Sequence, residues 1–351
     1  MNILLVTKNF YGNINIGPVI SIRNYLKDTI KKNRVVIIDH NSLDRIKLKK
    51  KNFEIPFIKN IFILIKNLIK INSIISKVDC VEFHSFFDFF LVFPIILLCF
   101  IKKKKIKIFL RGMVNDQVFV KKKIIKKIYL FFLKMFLDKA IIVCTSKYEL
   151  KNSSKYFNKN NLVVENNKVS NKYLNINFKK LIKKKNNLNI LFYSNISWKK
   201  NFEFVYNVLK DLTFKVELNI YGKCIINKTI FNKMLVNLRT KHSVNFYGYK
   251  KNEDKKDIFY SNHLLFLPTL DENFGHVIVE NFLHYRPCLL SNNTPWNDNK
   301  NYNAGYSISL KQKKKFTEIL KKFFLMNQNK FDKLCFNSKK YILYKLKSSN
   351  Y

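Results

Sequence analysis

The chain has 351 residues, long enough for two domains at roughly 150 residues each, and its 47% apolar content supplies two ordinary cores and excludes wholesale disorder. The formal charge of +43, from 66 basic and 23 acidic residues, favours polyanionic partners: nucleic acid, anionic lipid or phosphate-bearing substrates. The prevalence of Lys, Asn, Ile and Phe throughout is also what an AT-rich coding sequence supplies, so single lysine runs carry little weight. Six scattered cysteines form no C-x-x-C pair and have no zinc spacing, and they read as buried thiols of a reducing compartment.

In the first half, short β-branched runs at Asn2–Thr7, Arg34–Asp39, Asp79–His84, Ile106–Arg111, Ala140–Thr145 and Leu162–Glu165 alternate with helical patterns. The turn Gly12–Val19 leads into the first helix, where Pro18 suits the first helical turn. The apolar run Phe89–Ile101 is broken by Pro94 and falls short of the ~20 residues of a spanning helix. Met1–Thr7 reads as a strand, so no signal peptide is expected and the chain is expected to be cytoplasmic. Polar Asn166–Asn187 is the candidate connection between domains. Strands then recur at Asn189–Ser194, Phe214–Gly222, Ser243–Tyr247, His263–Pro268, Pro287–Ser291 and Tyr306–Ser309, with helices at Lys200–Leu212, Thr229–Arg239, Asp254–Tyr260 and His276–Tyr285. One or two helices follow Lys311. This alternation predicts two doubly wound α/β domains with parallel sheets, whose ligands bind at the carboxyl ends of the strands.

The most informative segment is ENFGHVIVE, Glu272–Glu280, between the strand LFLPT and a helix. Gly275 allows a ligand close to the backbone, and the helix start with its positive dipole end favours an anion. Glu272 lies before the helix and Glu280 about one turn inside it, so two carboxylates that accept from sugar hydroxyls flank a diphosphate-sized anion site.

This segment resembles the E-x-F-G-x-x-x-x-E signature of retaining GT-B glycosyltransferases, especially family 4. The resemblance implies two Rossmann-like domains facing a central cleft: residues 1–170 binding the acceptor, 171–325 binding a nucleotide-sugar donor, and a C-terminal helix over 326–351, for which packing back on the first domain is one option. It also implies that Glu272 contacts the donor sugar, that the Phe274, Gly275 and His276 backbone contacts sugar and phosphates, and that Glu280 binds the ribose. Ser194–Phe202 resembles the family's turn in which a Lys reaches the pyrophosphate, and Lys200 matches that Lys. Where the family usually has an Arg five residues earlier, this chain has Asn195, which removes a charge from the clamp; Lys199 is the neighbouring cation. Thr294–Trp296 resembles the family's T-P-W, and Thr145–Glu149 its S-x-x-E. His84, ending Glu82–Ser85, matches a His that approaches the sugar. Arg111, in Phe109–Met113, matches R-G-M and contacts phosphate or acceptor, or else closes a salt bridge. Gly17 is the partial match to a Gly-Gly pair near the donor. Neither cofactor nor metal is expected: His276, Glu280 and His284 share a helix face without the H-E-x-x-H pattern, and no D-x-D segment of the metal-nucleotide type is present in the sequence.

The expected function is hexosyl transfer to a glycan or lipid-linked acceptor in cell-surface polysaccharide biosynthesis. Val120–Leu137 and the preceding Lys102–Lys107 have two readings, a core helix with solvated lysines or a peripheral attachment to the inner face of an anionic membrane. Two other functions are weighed, and no nucleic-acid partner is expected. One is a non-catalytic nucleotide-sugar or partner-binding protein, motivated by Asn195; the other is a nucleic-acid-binding protein, motivated only by charge and lacking any zinc-finger, RRM or basic-zipper signature.

Overall fold

The fold is described from a computed structural model covering residues 1–7, 10, 17–39, 61–87, 89–114, 123–169, 171–249 and 255–348. Two compact units divide the chain, Met1–Val169 and Ser170–Tyr351. The first holds β1 (Asn2–Thr7), α1 (Gly17–Lys32), β2 (Arg34–Asp39), α2 (Ile61–Ser76), β3 (Cys80–Phe83), α3 (Phe89–Ile101), β4 (Lys105–Phe109), α4 (Lys123–Lys134), β5 (Ile141–Cys144), α5 (Lys147–Ser153) and β6 (Leu162–Val164). Its six strands run parallel in the order β2-β1-β3-β4-β5-β6. Strand sequences such as Ile3–Val6 are apolar at every position because helices cover both faces of a parallel sheet. One core gathers Val81, Phe83, Ile95, Ile108 and Leu133; a second, on the other face, gathers Ile3, Leu5, Ile22 and Ile37.

The second unit holds α6 (Asn171–Leu174), β7 (Asn189–Tyr193), α7 (Phe202–Lys210), β8 (Glu217–Tyr221), α8 (Lys228–Arg239), β9 (Ser243–Gly248), α9 (Lys255–Tyr260), β10 (Leu264–Leu267), α10 (His276–Leu283), β11 (Cys288–Ser291), β12 (Gly305–Ile308), α11 (Lys313–Phe324) and α12 (Gln328–Ser348). Its parallel order, β12-β11-β10-β7-β8-β9, is the Rossmann arrangement: three strands wind outward one way from β7 and three the other way from β10. The last helix packs on α10 inside this unit. The Tyr341 and Phe282 rings lie 5.3 Å apart, and buried Lys339 donates to the Leu283 and Leu174 carbonyls at 3.2 and 2.9 Å.

Two boundaries differ instructively from the sequence expectation. The strand expected from Phe214 begins at Glu217, because the Phe214 ring stacks on Phe324 at 4.3 Å and draws that segment out of the sheet. The helix expected from Lys200 begins at Phe202. Trp198–Lys200 forms a 3₁₀ turn that ends at left-handed Asn201 (φ 56°), which keeps Lys200 in the loop. Residues 12–16 of the Gly12–Val19 turn, 120–122 ahead of α4, and Asp254 lie outside the described residues.

Candidate functional site

In the second unit, β7 and β10 are hydrogen-bonded neighbours, but their outgoing connections diverge. This is the switch point at which a doubly wound sheet leaves a crevice beyond its strand ends. The loops leaving these two strands carry the predicted donor residues. Gly222, at the end of β8, comes so close to the loop after β7 that a Cβ there would sit 1.9 Å from the Ser194 carbonyl oxygen. Asn195 then accepts from the Lys223 amide through Oδ1 at 3.3 Å. The two loops are stitched together: Leu270 N and Thr269 Oγ1 both donate to the Lys199 carbonyl, at 2.8 and 2.9 Å, and Asn201 Nδ2 donates to the Pro268 carbonyl at 3.1 Å.

This stitching sets two lysines against two carboxylates. Lys199 Nζ lies 2.7 Å from Asp271 Oδ2, and Lys200 Nζ donates to Glu272 Oε2. Asp271 and Glu272 are largely enclosed, at 2% and 13% side-chain exposure, which strengthens both pairs over surface ones. Burial alone would raise the Glu272 carboxyl. The Lys200 charge and hydrogen bond, with Lys199 and His276 behind them, outweigh burial and hold it below the ordinary value.

Gly275 caps α10 in the left-handed conformation (φ 72°) and turns the chain into the helix start. The fully buried Trp296 donates from Nε1 to the Phe274 carbonyl, and its ring meets that of Phe274 at 5.7 Å. The T-P-W tryptophan therefore acts as an internal brace of the loop. Glu280 is buried one turn into the helix. After burial itself, its negative charge is the next cause raising the phenols of Tyr173, to about 12, and Tyr193, so both tyrosines lie within its field.

The first unit assembles a separate cluster. His84 follows β3 and Arg111 follows β4 in a left-handed residue (φ 46°). His84 Nδ1 accepts from Arg111 Nε and Nη2 at 3.2 and 3.0 Å, which leaves the ring proton on Nε2, 3.7 Å from a Glu82 oxygen. The His84 ring stacks on Phe109 at 4.2 Å, and its side chain has 0% exposure. Burial, then the charges of Arg111 and Lys107, push its pKa well below the ordinary value and keep it neutral. Tyr25 Oη donates to Glu82 at 2.9 Å, and Arg111 Nη1 to Asn167 Oδ1 at 2.9 Å. Buried Glu149 accepts from the amides of Gly112 and Thr145 and fixes the R-G-M turn against the S-x-x-E turn.

The structure thus joins Lys199 and Lys200 to the Glu272 loop and joins His84 to Arg111. It places Gly17 at the start of α1 and the Asn195 side chain on the Lys223 backbone amide. Sequence reasoning missed Asp271, whose signal was its position directly before Glu272. It also missed the partners Glu82, Tyr25 and Asn167, which no local pattern announces.

Residues 175–340, most of the second unit, match the family model described as "Glycosyl transferases group 1". A curated relative, an uncharacterized 41.2 kDa protein in the cps region of Klebsiella pneumoniae, is 28% identical over 68% of this chain; the match spans 66% of that relative, just under two thirds of its length. Among solved structures, a glycosyltransferase from Rickettsia africae superposes with a TM-score of 0.73 at 17% identity, covering 98% of this chain and 93% of its own. Anabaena HepE, solved with UDP and glucose, gives 0.72 at 13% identity, covering 98% and 95%. WaaG, a glycosyltransferase involved in lipopolysaccharide biosynthesis, gives 0.72 at 12% identity, covering 99% and 98%. At these identities the likeness establishes the fold, which is GT-B with two Rossmann-like domains.

Proposed function

We propose that the chain is a retaining family 4 glycosyltransferase that moves a hexose-like sugar from a nucleoside diphosphate sugar to a hydroxyl of a glycan or lipid-linked saccharide in cell-surface polysaccharide synthesis. The observation that carries this reading is the Lys200–Glu272 pair at the β7/β10 switch point, just ahead of Gly275 and the start of α10. The bond from the anomeric carbon to the phosphate breaks and its electron pair leaves with the diphosphate. The acceptor oxygen forms the new bond, and its proton passes to the departing phosphate. The sugar develops oxocarbenium character while negative charge builds on the leaving group. Lys200 and the positive end of α10 meet that charge, so the reading needs neither metal nor cofactor. A donor takes Lys200 from Glu272 and leaves the carboxylate to accept from sugar hydroxyls. The Phe274–His276 backbone lines the sugar and phosphates, and Glu280 holds the ribose. Lys199 is already engaged by Asp271, so its part is to hold the loop and not to replace the family's arginine. In the first unit, enclosed His84 serves through Arg111, and a direct sugar contact requires its ring to leave that enclosure. Gly17, at the start of α1, stays a donor-side candidate in this reading. A lipid-linked acceptor places the reaction at the inner face of the cytoplasmic membrane.

A second reading, a nucleotide-sugar-binding protein without turnover, is favoured by Asn195, which spends its side-chain oxygen on the Lys223 amide where the family has a cation. Binding is tested by a thermal-shift panel of UDP-, GDP-, ADP- and CMP-sugars on wild type and Glu280→Ala. One nucleotide class is expected to stabilise the wild type by about 3 kcal/mol at a hundredfold excess over Kd, with the shift lost in the variant. A folded protein that responds to none of them contradicts both readings.

A further inference from the structure

The helix α4 has a second apolar face, which is exposed. At about 100° per residue, buried Tyr129, Leu130 and Leu133 occupy one sector that packs into the core. Ile124, Ile128, Phe131, Phe132 and Met135 fall in a sector on the opposite side of the helix and are 51–73% exposed. Exposed Lys127 and Lys134 lie along the strip between the two sectors. A helix that is apolar on two sides is ordinarily buried on both, and an exposed patch of this kind marks a docking surface. The patch extends beyond the helix. The Phe136 ring lies 5.3 Å from that of Phe100, itself 54% exposed at the end of α3, and the lysine run that follows exposes Lys103 and Lys105.

We infer that this face docks on the surface of an anionic lipid bilayer, lying in the interface without crossing it. Among the described residues no helix is long and apolar enough to span a membrane. Charge selects this occupant. From residue 89 to residue 137 the sequence contains one acidic residue, Asp116, against a rim of lysines, and the whole chain carries +43. A second copy would set the same lysines against themselves, and protein interfaces are depleted in lysine. A bilayer with anionic headgroups satisfies both features: the rings and Ile side chains enter the acyl boundary and the lysines meet the headgroups. This inference rests on the surface of the first unit alone and is independent of the donor chemistry.

The test is flotation of the full chain with phosphatidylcholine vesicles and with phosphatidylcholine–phosphatidylglycerol vesicles, at low and high salt. Wild type is expected to float with the mixed vesicles and to retain part of that binding at high salt. Phe131→Ser/Phe132→Ser is expected to lose on the order of tenfold per ring, and Lys127→Gln/Lys134→Gln about fivefold per lysine. Both variants alter exposed positions and are expected to keep the wild-type melting curve and the nucleotide-sugar thermal shift. If the Phe variant binds as wild type does and high salt abolishes binding in both, attachment is by charge alone and the inference fails. It also fails if the wild type ignores the mixed vesicles, or if sedimentation shows a dimer that the Phe variant abolishes. Loss of the nucleotide-sugar shift with vesicle binding intact would sink the transfer reading and leave this one standing.

Discussion

At the scale of single residues, the site is held by contacts that join positions far apart in sequence. Lys200 and Glu272 are each legible as members of a motif, and their direct pairing follows only once β7 and β10 are neighbours. Asp271 has only the local signal of standing before Glu272, and its pairing was not legible because it runs through Lys199, a residue that reads as one lysine among many. His84 was legible as a histidine at a strand end, whereas its complete enclosure by Phe109 and Arg111 depends on packing that no spacing encodes. Gly275 gives the clearest residue-level prediction. Its φ of 72° disfavours any side chain, and a Cβ there would approach Ile278 Cδ1 to 2.8 Å and Glu272 Cγ to 3.0 Å. Gly275→Ala is expected to cost about 1–2 kcal/mol from backbone strain alone and to displace Glu272. Urea unfolding measures the first effect and nucleotide-sugar affinity the second. A neutral or stabilised variant, the usual result of Gly→Ala where φ is ordinary, would contradict the geometry.

At the scale of elements, covered strands such as β1 and β10 were legible as unbroken apolar runs, whereas the more exposed β9, SVNFYG, was legible from β-branched and aromatic residues between helical patterns. The ends were less legible, since side-chain contacts such as Phe214 on Phe324 decide where a strand stops. Two histidines fasten elements of the second unit in their neutral form. His263, just before β10, accepts from the Asn189 amide through Nδ1 at 2.9 Å and donates from Nε2 to the Ile182 carbonyl at 3.2 Å, tying the start of β10 to β7. His284 caps α10, with Nδ1 on the Glu280 carbonyl at 2.6 Å and its ring stacked 4.7 Å from Phe259. Burial lowers each from 6.5 to about 4, against the opposing backbone hydrogen bond. The unfolded chain binds these protons first as pH falls. Stability is therefore complete above about pH 6.5 and declines toward pH 4, by about 3 kcal/mol per histidine at roughly 1.4 kcal/mol per pH unit. Urea midpoints at pH 7 and pH 5 are expected to show about 2 kcal/mol of this loss per histidine, and His263→Gln should remove its share and leave that of His284. An unchanged midpoint over that range would refute neutral burial of both rings. The depressed Glu272 carboxyl acts in a lower window, losing its contribution only as pH falls below the ordinary carboxylate value near 4.5.

At the scale of the whole molecule, the two-unit organisation was readable from the restart of β-α alternation after a polar stretch, and the units part between Val169 and Ser170, inside that stretch. The second unit was the more legible, because the residues that suggested a function cluster in one strand–loop–helix segment, Glu272–Glu280, and residues 175–340 match a family model. In the first unit, the candidate residues His84 and Arg111 are single residues after different strands. The charge of +43 was ambiguous in sequence, and the fold makes part of it specific by gathering lysines around the exposed apolar face of α4. The Lys200–Glu272 pair carries the proposed sugar transfer. It is tested most directly by measuring nucleoside diphosphate released from the donor class that stabilises the protein, with wild type, Lys200→Ala and Glu272→Gln compared at equal folded concentration. Wild type is expected to turn over, with kcat lower by about 10²–10³ in Lys200→Ala, the cost of removing one preorganised group from a developing anion, and a marked loss in Glu272→Gln. Folded wild type that binds donor and releases nothing, or release indifferent to Lys200→Ala, would contradict the proposed transfer.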